Sequence, residues 1–422
     1  MLRLARALSL LIVVLWSASA FAQALPTAKP EQVGLSSERL ARIGQAVSAD
    51  VEKGRLPGGV ILVARKGRVA YFEAVGFRDK ASGAPMTKDA IFRIYSMTKP
   101  FTSVGVMMLV EEGRIQLSDP VSKYLPALGK LQVGMERFDA ATGKAVFYTV
   151  ASERDMTVHD LLRHTSGLTY GVFGKSAVKD LYGKNGVDSS EHTNAELIDK
   201  LAQVPLAYQP GTTWDYSRST DVLGRLIEVV ADTTLAQFFE TRIFQPLKMT
   251  DSGFFVPPAK HGRIAEPLAN DPDTGKPIKL LNVSAPPKYE AGGQGAVSTA
   301  MDYARFCQML LNGGKLDNVR LLGRKTVELM TSDHLGRLAG SGPAYTPGPG
   351  HGFGLGFAVR LESGMGDTPG SKGEFFWGGY GGTAFLVDPK EELVAVWMSQ
   401  APEQRTYYRR MFRSLLEASL VD

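Results

Sequence analysis

The sequence contains little cysteine or histidine. It has one cysteine, Cys307, among 422 residues, so no disulfide can form within the chain. Its six histidines show no H-E-x-x-H spacing or comparable ligand cluster, which argues against a metallohydrolase. No G-x-S-x-G segment occurs, so the nucleophile elbow of an α/β-hydrolase is excluded. We therefore expect no metal and no cofactor.

Neither sign of charge dominates the sequence. Lys and Arg number 48 against 43 Asp and Glu, a formal net charge of +5, and no run of basic residues stands out. Nucleic-acid binding needs clustered basic side chains. The composition therefore predicts no nucleic-acid partner.

Long apolar runs are missing as well, and the N-terminus has the pattern of a secretory leader. Arg3 and Arg6 precede an apolar run over residues 8–15, and Ala20-Phe21-Ala22 fits a cleavage site for signal peptidase. The apolar run is too short for a membrane span, which takes about 20 residues. We predict a signal peptide over residues 1–22, a periplasmic or secreted protein, and no stable membrane span after cleavage.

Strand signals occur mainly at the two ends of the chain. A helix after Ser36 and a hairpin over 59–64 and 69–75 open it. Short strand signals return late, before a last helix over 407–420, at residues 353–361, 375–377, 383–387 and 393–398. The economical arrangement joins these N- and C-terminal strands in one antiparallel sheet covered by the terminal helices.

The middle of the chain has the apolar periodicity of helices instead of strands. Segments 158–163, 195–204 and 221–231 have the spacing of helices. We predict an α/β (α+β) fold in which residues 23–117 and 285–422 form a sheet domain flanked by helices. Residues 118–284 form an inserted, mostly helical domain, with the active site between the two.

One serine and one lysine precede a strongly apolar stretch. Ser96 and Lys99 lie three positions apart, just before residues 101–110. On a helix such side chains share one face, which brings hydroxyl and amine within hydrogen-bond reach. A lysine can activate a serine only when the lysine is neutral, and burial favours the neutral form. The pattern favours Ser96 as a nucleophile with Lys99 as base; the alternative is a helix cap followed by a solvated lysine.

The same spacing occurs a second time. Ser176 and Lys179 also fit Ser-x-x-Lys, but they lie in a polar, glycine-bearing stretch with no apolar helix behind it. We interpret this second match as a surface loop.

Two later stretches offer the other groups that acyl transfer needs. Tyr216, on a loop before a helix, has a hydroxyl that can relay a proton, unless it is an ordinary core tyrosine. Four glycines surround Tyr380 between two strand signals, which lets the backbone approach a ligand closely. The backbone N–H groups of Ser96 and Tyr380 could then form an oxyanion hole; a plain hairpin turn is the alternative.

These stretches resemble the ordered motifs of the serine β-lactamase and penicillin-binding-protein superfamily. The closest likeness is to class C β-lactamase-like esterases, the family VIII carboxylesterases. The resemblance covers roughly residues 30–420 and rests on Ser96-Met97-Thr98-Lys99, Tyr216-Ser217-Arg218 and Trp377-Gly378-Gly379, with further matches at 160–168 and 292–299. It implies Ser96 as nucleophile, Lys99 and Tyr216 as the proton-transfer pair, and the N–H groups of Ser96 and Tyr380 as the oxyanion hole.

Two departures from the superfamily pattern bear on the substrate. The third motif usually begins with Lys or His, but here it begins with Trp377, as in the esterase branch. The second motif usually ends in Asn, where Arg218 stands here. Both changes weaken the case for lactam binding. We expect Trp377, Gly378, Gly379, Tyr170 and Arg218 to contact the substrate.

The sequence thus predicts a serine hydrolase that cleaves small-molecule carboxylic esters of small to medium acyl chains through an acyl-Ser96 intermediate. A β-lactamase or D-alanyl-D-alanine carboxypeptidase is the alternative among enzymes. A third possibility is a β-lactam- or peptidoglycan-binding protein without turnover, against which the intact Ser96, Lys99 and Tyr216 argue. The sequence leaves the physiological substrate and the oligomeric state open.

Overall fold

The structure, a computed structural model, describes residues 24–340, 342–343 and 345–422. The predicted signal peptide over 1–22 lies outside the described residues. The helices are α1 Ser37–Glu52, α2 Lys99–Glu111, α3 Val158–Leu162, α4 Ala177–Lys184, α5 Asn194–Leu201, α6 Ser219–Ala231, α7 Leu235–Phe239, α8 Ala300–Leu311, α9 Arg324–Met330 and α10 Arg405–Glu417. The strands are β1 Gly58–Arg65, β2 Arg68–Asp79, β3 Ala84–Pro85, β4 Phe92–Arg93, β5 Gln132–Asp139, β6 Lys144–Ala151, β7 Val297–Ser298, β8 Lys315–Leu316, β9 Val319–Arg320, β10 His351–Phe353, β11 Ala358–Arg360, β12 Phe375–Gly378, β13 Ala384–Asp388 and β14 Leu393–Ser399.

An eight-stranded antiparallel sheet joins the two ends of the chain. Its order is β10-β11-β12-β13-β14-β1-β2-β3. Strand β1 lies between β14 and β2, with Leu62 opposite both Val396 and Phe72. The predicted fold class, an antiparallel sheet from N- and C-terminal segments flanked by helices, is confirmed.

Both faces of the sheet are covered, which explains why every residue of β1 is buried. Successive side chains of a strand point to opposite faces. On one face Val60 and Leu62 belong to the large core that includes α2 and α8. On the other face Ile61 and Val63 pack in a second core with residues of α1 and α10.

Helix α2 is buried almost all round. Its residues from Lys99 to Leu109 are inaccessible to solvent, and Phe101 packs edge-on against Phe239, Phe244 and Phe306. A helix of this kind belongs inside a large core. The turn that precedes it is therefore held firmly. Within the part of the chain that the structure describes, no helix combines the length and apolar character that crossing a membrane requires.

The inserted region contains a hairpin that the sequence pattern did not predict. Strands β5 and β6 pair over their whole length, from Gln132 opposite Ala151 to Asp139 opposite Lys144. Most of their residues are exposed, including Phe138 at 73%. Without one buried face, the strands lack the alternation of apolar and polar residues by which a strand is recognised.

Two other local predictions were wrong. The single strand expected over 353–361 is a hairpin of β10 and β11, because the chain turns at Gly356, whose φ of 112° suits a residue without a side chain. The surface loop expected at Ser176 is the start of α4. The Ser176 hydroxyl caps this helix by accepting a hydrogen bond from the Lys179 N–H.

Candidate active site

Ser96 lies on a tight turn rather than inside a helix. Residues Tyr95–Thr98 form one 3₁₀ turn, and α2 begins at Lys99. Tyr95 has a positive φ of 44°, an unfavourable value for a bulky side chain. Its hydroxyl accepts a hydrogen bond from the Leu281 N–H at 3.0 Å, which helps to hold this conformation. Ser96 is half-buried and lines a cavity of about 600 Å³.

The Lys99 amine meets the Ser96 hydroxyl, as the spacing predicted, at an Nζ–Oγ distance of 3.4 Å. Lys99 is fully buried. Its Nζ also donates to the Tyr170 hydroxyl at 3.1 Å and to the Gly293 carbonyl at 2.8 Å. An amine surrounded by three oxygen acceptors suits the ammonium form, which has three N–H donors and no lone pair.

Burial does not act alone on the charge of Lys99. It opposes the positive charge, whereas Tyr170, Tyr216 and the Asp221 carboxylate act in the opposite sense, and the net direction raises the Lys99 pKa above its ordinary value. This direction favours the ammonium form, and the role of Lys99 as base stays a prediction. This distinguishes the residue from a lysine desolvated by apolar groups alone.

Tyr216 lies beside this amine, on the loop that precedes α6. Lys99 Nζ is 4.5 Å from the centre of its ring. The Trp377 indole N–H donates to the Tyr216 hydroxyl oxygen at 3.2 Å. Tyr216, Trp377 and Ser96 line the same cavity. Residues about 120 and 280 positions further along the chain than Ser96 thus meet at one point.

The glycine-rich turn after β12 packs against the Ser96 turn. The Gly379 N–H donates to the Thr383 carbonyl at 2.9 Å, closing the turn. A Cβ on Gly379 would collide with the Ile94 carbonyl, so glycine is required for this close approach. The Tyr380 ring meets the Tyr95 ring edge-on at 5.6 Å between centres. The turn that carries Tyr380 is therefore a neighbour of the turn that carries Ser96.

Of the five residues expected to contact substrate, Trp377 and Gly378 line the cavity, whereas Gly379, Tyr170 and Arg218 do not. The Tyr170 hydroxyl is occupied by Lys99, and the Arg218 guanidinium stacks over the Tyr170 ring at 4.9 Å. Arg218 also forms ion pairs with Asp188 at 3.1 Å and with Asp221 at 3.8 Å. Both side chains lie behind the cavity wall. Phe173 and Tyr380 also form part of the wall.

The structure adds a residue that sequence reasoning did not single out. The buried Asp221 carboxylate accepts a hydrogen bond from the Gly293 N–H at 3.0 Å, and the carbonyl of Gly293 binds Lys99. A Cβ on Gly293 would lie 2.8 Å from Asp221 Oδ2, so a side chain there would disturb this contact. The family resemblance includes the segment 292–299 but gives it no role. The spacing of residues in the sequence does not predict that Gly293 contacts Asp221.

One cluster of carboxylates among the described residues has the spacing of a metal site. Oxygens of Glu374, Asp388 and Glu417 lie within 4.8 Å of one another. Glu374 is already paired with the guanidinium groups of Arg360 and Arg413. These cations balance the buried charge, and none of the three acids lines the Ser96 cavity. The cluster is explained as a network of ion pairs.

Comparison with known proteins agrees with this geometry. The family model described as Beta-lactamase matches residues 43–419. The chain belongs to the Beta-lactamase family. The predicted membership of the serine β-lactamase and penicillin-binding-protein superfamily is thereby confirmed, whereas the assignment to family VIII stays a prediction.

Among relatives of this family, Protein Rv1367c of Mycobacterium tuberculosis (strain ATCC 25618 / H37Rv) is 34% identical over 83% of this chain and 87% of its own length. Esterase EstB of Burkholderia gladioli is 32% identical over 82% of this chain and 87% of its own. The solved structure of EstCE1, "a hydrolase with promiscuous acyltransferase activity", covers 90% of this chain and 98% of its own, with a TM-score of 0.76 and 29% identity.

Proposed function

We propose that this protein is a serine esterase that hydrolyses carboxylic esters of small to medium acyl chains through an acyl-Ser96 intermediate. One observation carries the proposal: Ser96, the Lys99 amine at 3.4 Å and Tyr216 meet at a single cavity. A nucleophile, a group that controls protons and a cavity for the acyl group are the parts that covalent ester hydrolysis needs. The esterase relatives support a serine ester hydrolase in the β-lactamase fold.

The raised pKa of Lys99 supports a proton path through Tyr216. We infer that Tyr216, in its deprotonated form beside the Lys99 ammonium, accepts the Ser96 proton as the hydroxyl attacks the ester carbonyl. The Trp377 N–H and the Lys99 ammonium stabilise the negative charge on that oxygen. Tyr216 then gives the proton to the leaving alcohol, and the reverse sequence with water releases the acid.

The backbone N–H groups of Ser96 and Tyr380 are the proposed oxyanion hole. The close packing of residues 378–383 against Ile94 and Tyr95 supports this role, because it brings the Tyr380 backbone to the same side of the cavity as Ser96. Two backbone donors aimed at one oxygen are the usual device for stabilising a tetrahedral intermediate.

Esters are favoured over lactams by the two positions that depart from the superfamily pattern. Trp377 presents an indole, and its N–H is used on Tyr216. Arg218 is held by Asp188 and Asp221 behind the cavity wall. Neither position offers a free cation for the carboxylate of a β-lactam. Phe173 and Trp377 form an aromatic part of the wall that suits an uncharged acyl or alcohol group, while arginines of α10 line another part: Arg405, Arg409, Arg410 and Arg413.

We also propose that the cavity lies between a sheet domain, residues 23–117 and 285–422, and an inserted domain, residues 118–284. Ser96 and Trp377 come from the first of these, and Phe173 and Tyr216 from the second. The signal peptide and a periplasmic or secreted location are proposed with it. N-terminal sequencing of the exported protein tests the cleavage after Ala22.

The chain supplies a matched control for testing the nucleophile. Purified protein should hydrolyse p-nitrophenyl butyrate and be labelled on Ser96 by a fluorophosphonate. Ser96→Ala should abolish labelling and lower kcat by several powers of ten, because no other group can form the acyl intermediate. Ser176→Ala, in the second Ser-x-x-Lys segment, should retain both, since its hydroxyl only caps α4.

A substrate panel separates the alternatives. Efficient cephalosporin or D-Ala-D-Ala turnover with negligible ester hydrolysis would overturn the esterase proposal. Labelling of Ser96 without turnover of any ester, lactam or peptide would favour a binding protein. Loss of activity in Ser176→Ala, with Ser96→Ala active, would show that the wrong serine was chosen.

A further inference from the structure

Arg409, on the last helix α10, contacts the turn at residues 379–383, which carries the proposed oxyanion-hole residue Tyr380. Arg409 Nη2 donates to the Gly379 carbonyl and, at 3.0 Å, to the Thr383 carbonyl. Arg409 Nε also approaches the Thr383 carbonyl at 3.3 Å. These two carbonyls bracket Tyr380. A single planar guanidinium therefore ties both ends of the turn to α10.

The Gly379 carbonyl and the Tyr380 N–H belong to the same peptide group. Cis peptide bonds are absent from the described residues, so in this trans peptide the carbonyl and the N–H point in opposite directions. When Arg409 draws the Gly379 carbonyl toward α10, the Tyr380 N–H is directed away from α10. A hydrogen bond to the carbonyl also polarises the peptide and strengthens the N–H as a donor.

Gly378 makes room for the guanidinium. A Cβ at this position would lie 2.6 Å from both Nε and Nη2 of Arg409, a distance that real Cβ atoms do not reach. Gly378 thus lets the guanidinium lie close to the backbone of the turn.

Arg409 differs from the other arginines of α10 in its partners. Arg410 pairs with Asp367 at 2.6 Å, Arg413 pairs with Glu374, and Arg405 lies 4.0 Å from Glu403. Among the described residues no carboxylate forms an ion pair with Arg409. Burial and the neighbouring Arg405 lower its pKa to about 10, although Tyr216 acts in the opposite sense. The partners of Arg409 are instead the carbonyls of Gly379 and Thr383, so this cation is bound to the turn.

We propose that Arg409 is a positioning residue for ester hydrolysis: it holds the peptide between Gly379 and Tyr380 so that the Tyr380 N–H faces the oxyanion. This inference rests on the proposed function, because it assumes the acyl transfer at Ser96. Arg409 lies against this turn and also lines the Ser96 cavity. Its effect falls on the transition state, where the oxyanion forms, and not on the binding of the ground-state ester.

The first test replaces the guanidinium. Arg409→Met should lower kcat, and the rate at which a fluorophosphonate acylates Ser96, by about 10²-fold with KM nearly unchanged, since small displacements of catalytic groups have effects of this size. Arg409→Lys should recover part of the loss. Arg39→Met is the matched control. Arg39 also donates to a backbone carbonyl, that of Ala418 just after α10, at 2.8 Å, but this contact does not involve the turn.

The second test keeps Arg409 but fills the space that Gly378 leaves for its guanidinium. Gly378→Ala should reproduce the loss in kcat, and the double variant Gly378→Ala with Arg409→Met should be no worse than the poorer single variant. Independent, additive losses, or an Arg409→Met variant with unchanged kcat, would overturn the inference. An equal loss of kcat in the Arg39→Met control would also overturn the inference, because it would show that disturbing the helix is sufficient. If the unmodified protein neither hydrolyses esters nor labels at Ser96, the proposed function itself has failed; if it does both, only the role of Arg409 is in question.

Discussion

At the scale of single residues, the surroundings of Lys99 bear on how the proposed reaction begins. Tyr170, Gly293 and Asp221 surround this amine or act on it from separate parts of the chain. Together they raise its pKa, which supports the proposal that Tyr216 is the base and that Lys99 acts as an ammonium beside the tyrosine oxygen.

The pH dependence of the reaction tests this assignment. Activity that needs the Lys99 ammonium is present below the Lys99 pKa and is lost as the pH rises through it. Because that pKa is raised, the alkaline limb of kcat/KM should lie above the ordinary lysine value of 10.5. Asp221→Asn removes one of the charges that raise it, so the limb should move to lower pH. The measurement is kcat/KM for an ester across the alkaline range.

Asp199→Asn is the control for this experiment, because Asp199 is exposed on α5 and its change should not move the limb. An alkaline limb that stays in place in Asp221→Asn, or that moves to higher pH, would contradict the assignment of the proton to Lys99.

At the scale of elements, the buried helix α2 and the exposed hairpin of β5 and β6 differ in how much they pack against the rest of the protein. Helix α2 lies within the core, and Phe101 at its start contacts several aromatic rings. On the β5–β6 hairpin, the Phe138 side chain is largely exposed to solvent. Two phenylalanines of equal size thus differ in what surrounds them.

Substitution of these two residues should separate the elements. Phe101→Ala should lower the free energy of unfolding by about 3–5 kcal/mol, as deletion of a buried aromatic ring does. Phe138→Ala should change it by less than about 0.5 kcal/mol, as is usual for exposed positions. Thermal or urea unfolding followed by circular dichroism measures both. Similar losses in the two variants would show that the hairpin packs against more of the protein than the structure indicates.

At the scale of the whole molecule, the sheet ties the two ends of the chain together. Strands β1 and β14 pair from Gly59 opposite Ser399 to Arg65 opposite Leu393. Arg65 adds ion pairs to Glu391 and Asp422. The chain between these strands is held at both of its ends, and this fixes Ser96 relative to the turn at 379–382.

An engineered protease site tests this description. Cleavage in the β5–β6 turn, at residues 140–143, should leave the two fragments associated and active, because the strands on either side remain paired and none of the hairpin residues lines the cavity. Cleavage in the 379–382 turn should abolish activity, since it breaks the proposed oxyanion hole. Native gel filtration and ester hydrolysis of the cut proteins provide the readouts. Dissociation after the first cut would be the contradicting outcome.

Much of the fold was readable from periodicity, because strands such as β13 and β14 and helices such as α1 and α6 each bury one consistent set of residues. The hairpin β5–β6 was not, because it buries neither face fully. The turn at Gly356 was also missed, since apolar residues on both sides hide the break between β10 and β11.

The sequence by itself determined the Ser96–Lys99 contact, because residues three positions apart in a helical turn meet whatever surrounds them. It also determined the order of the three motifs and hence the family. Only the tertiary structure decided the direction of the Lys99 pKa shift, the position of Tyr170 and Arg218 outside the cavity lining, and the hydrogen bonds from Arg409 to the turn at residues 379–383. Each of these depends on contacts between residues far apart in the chain, and the electrostatic effect of such contacts appears only when the groups are brought together and removed from water.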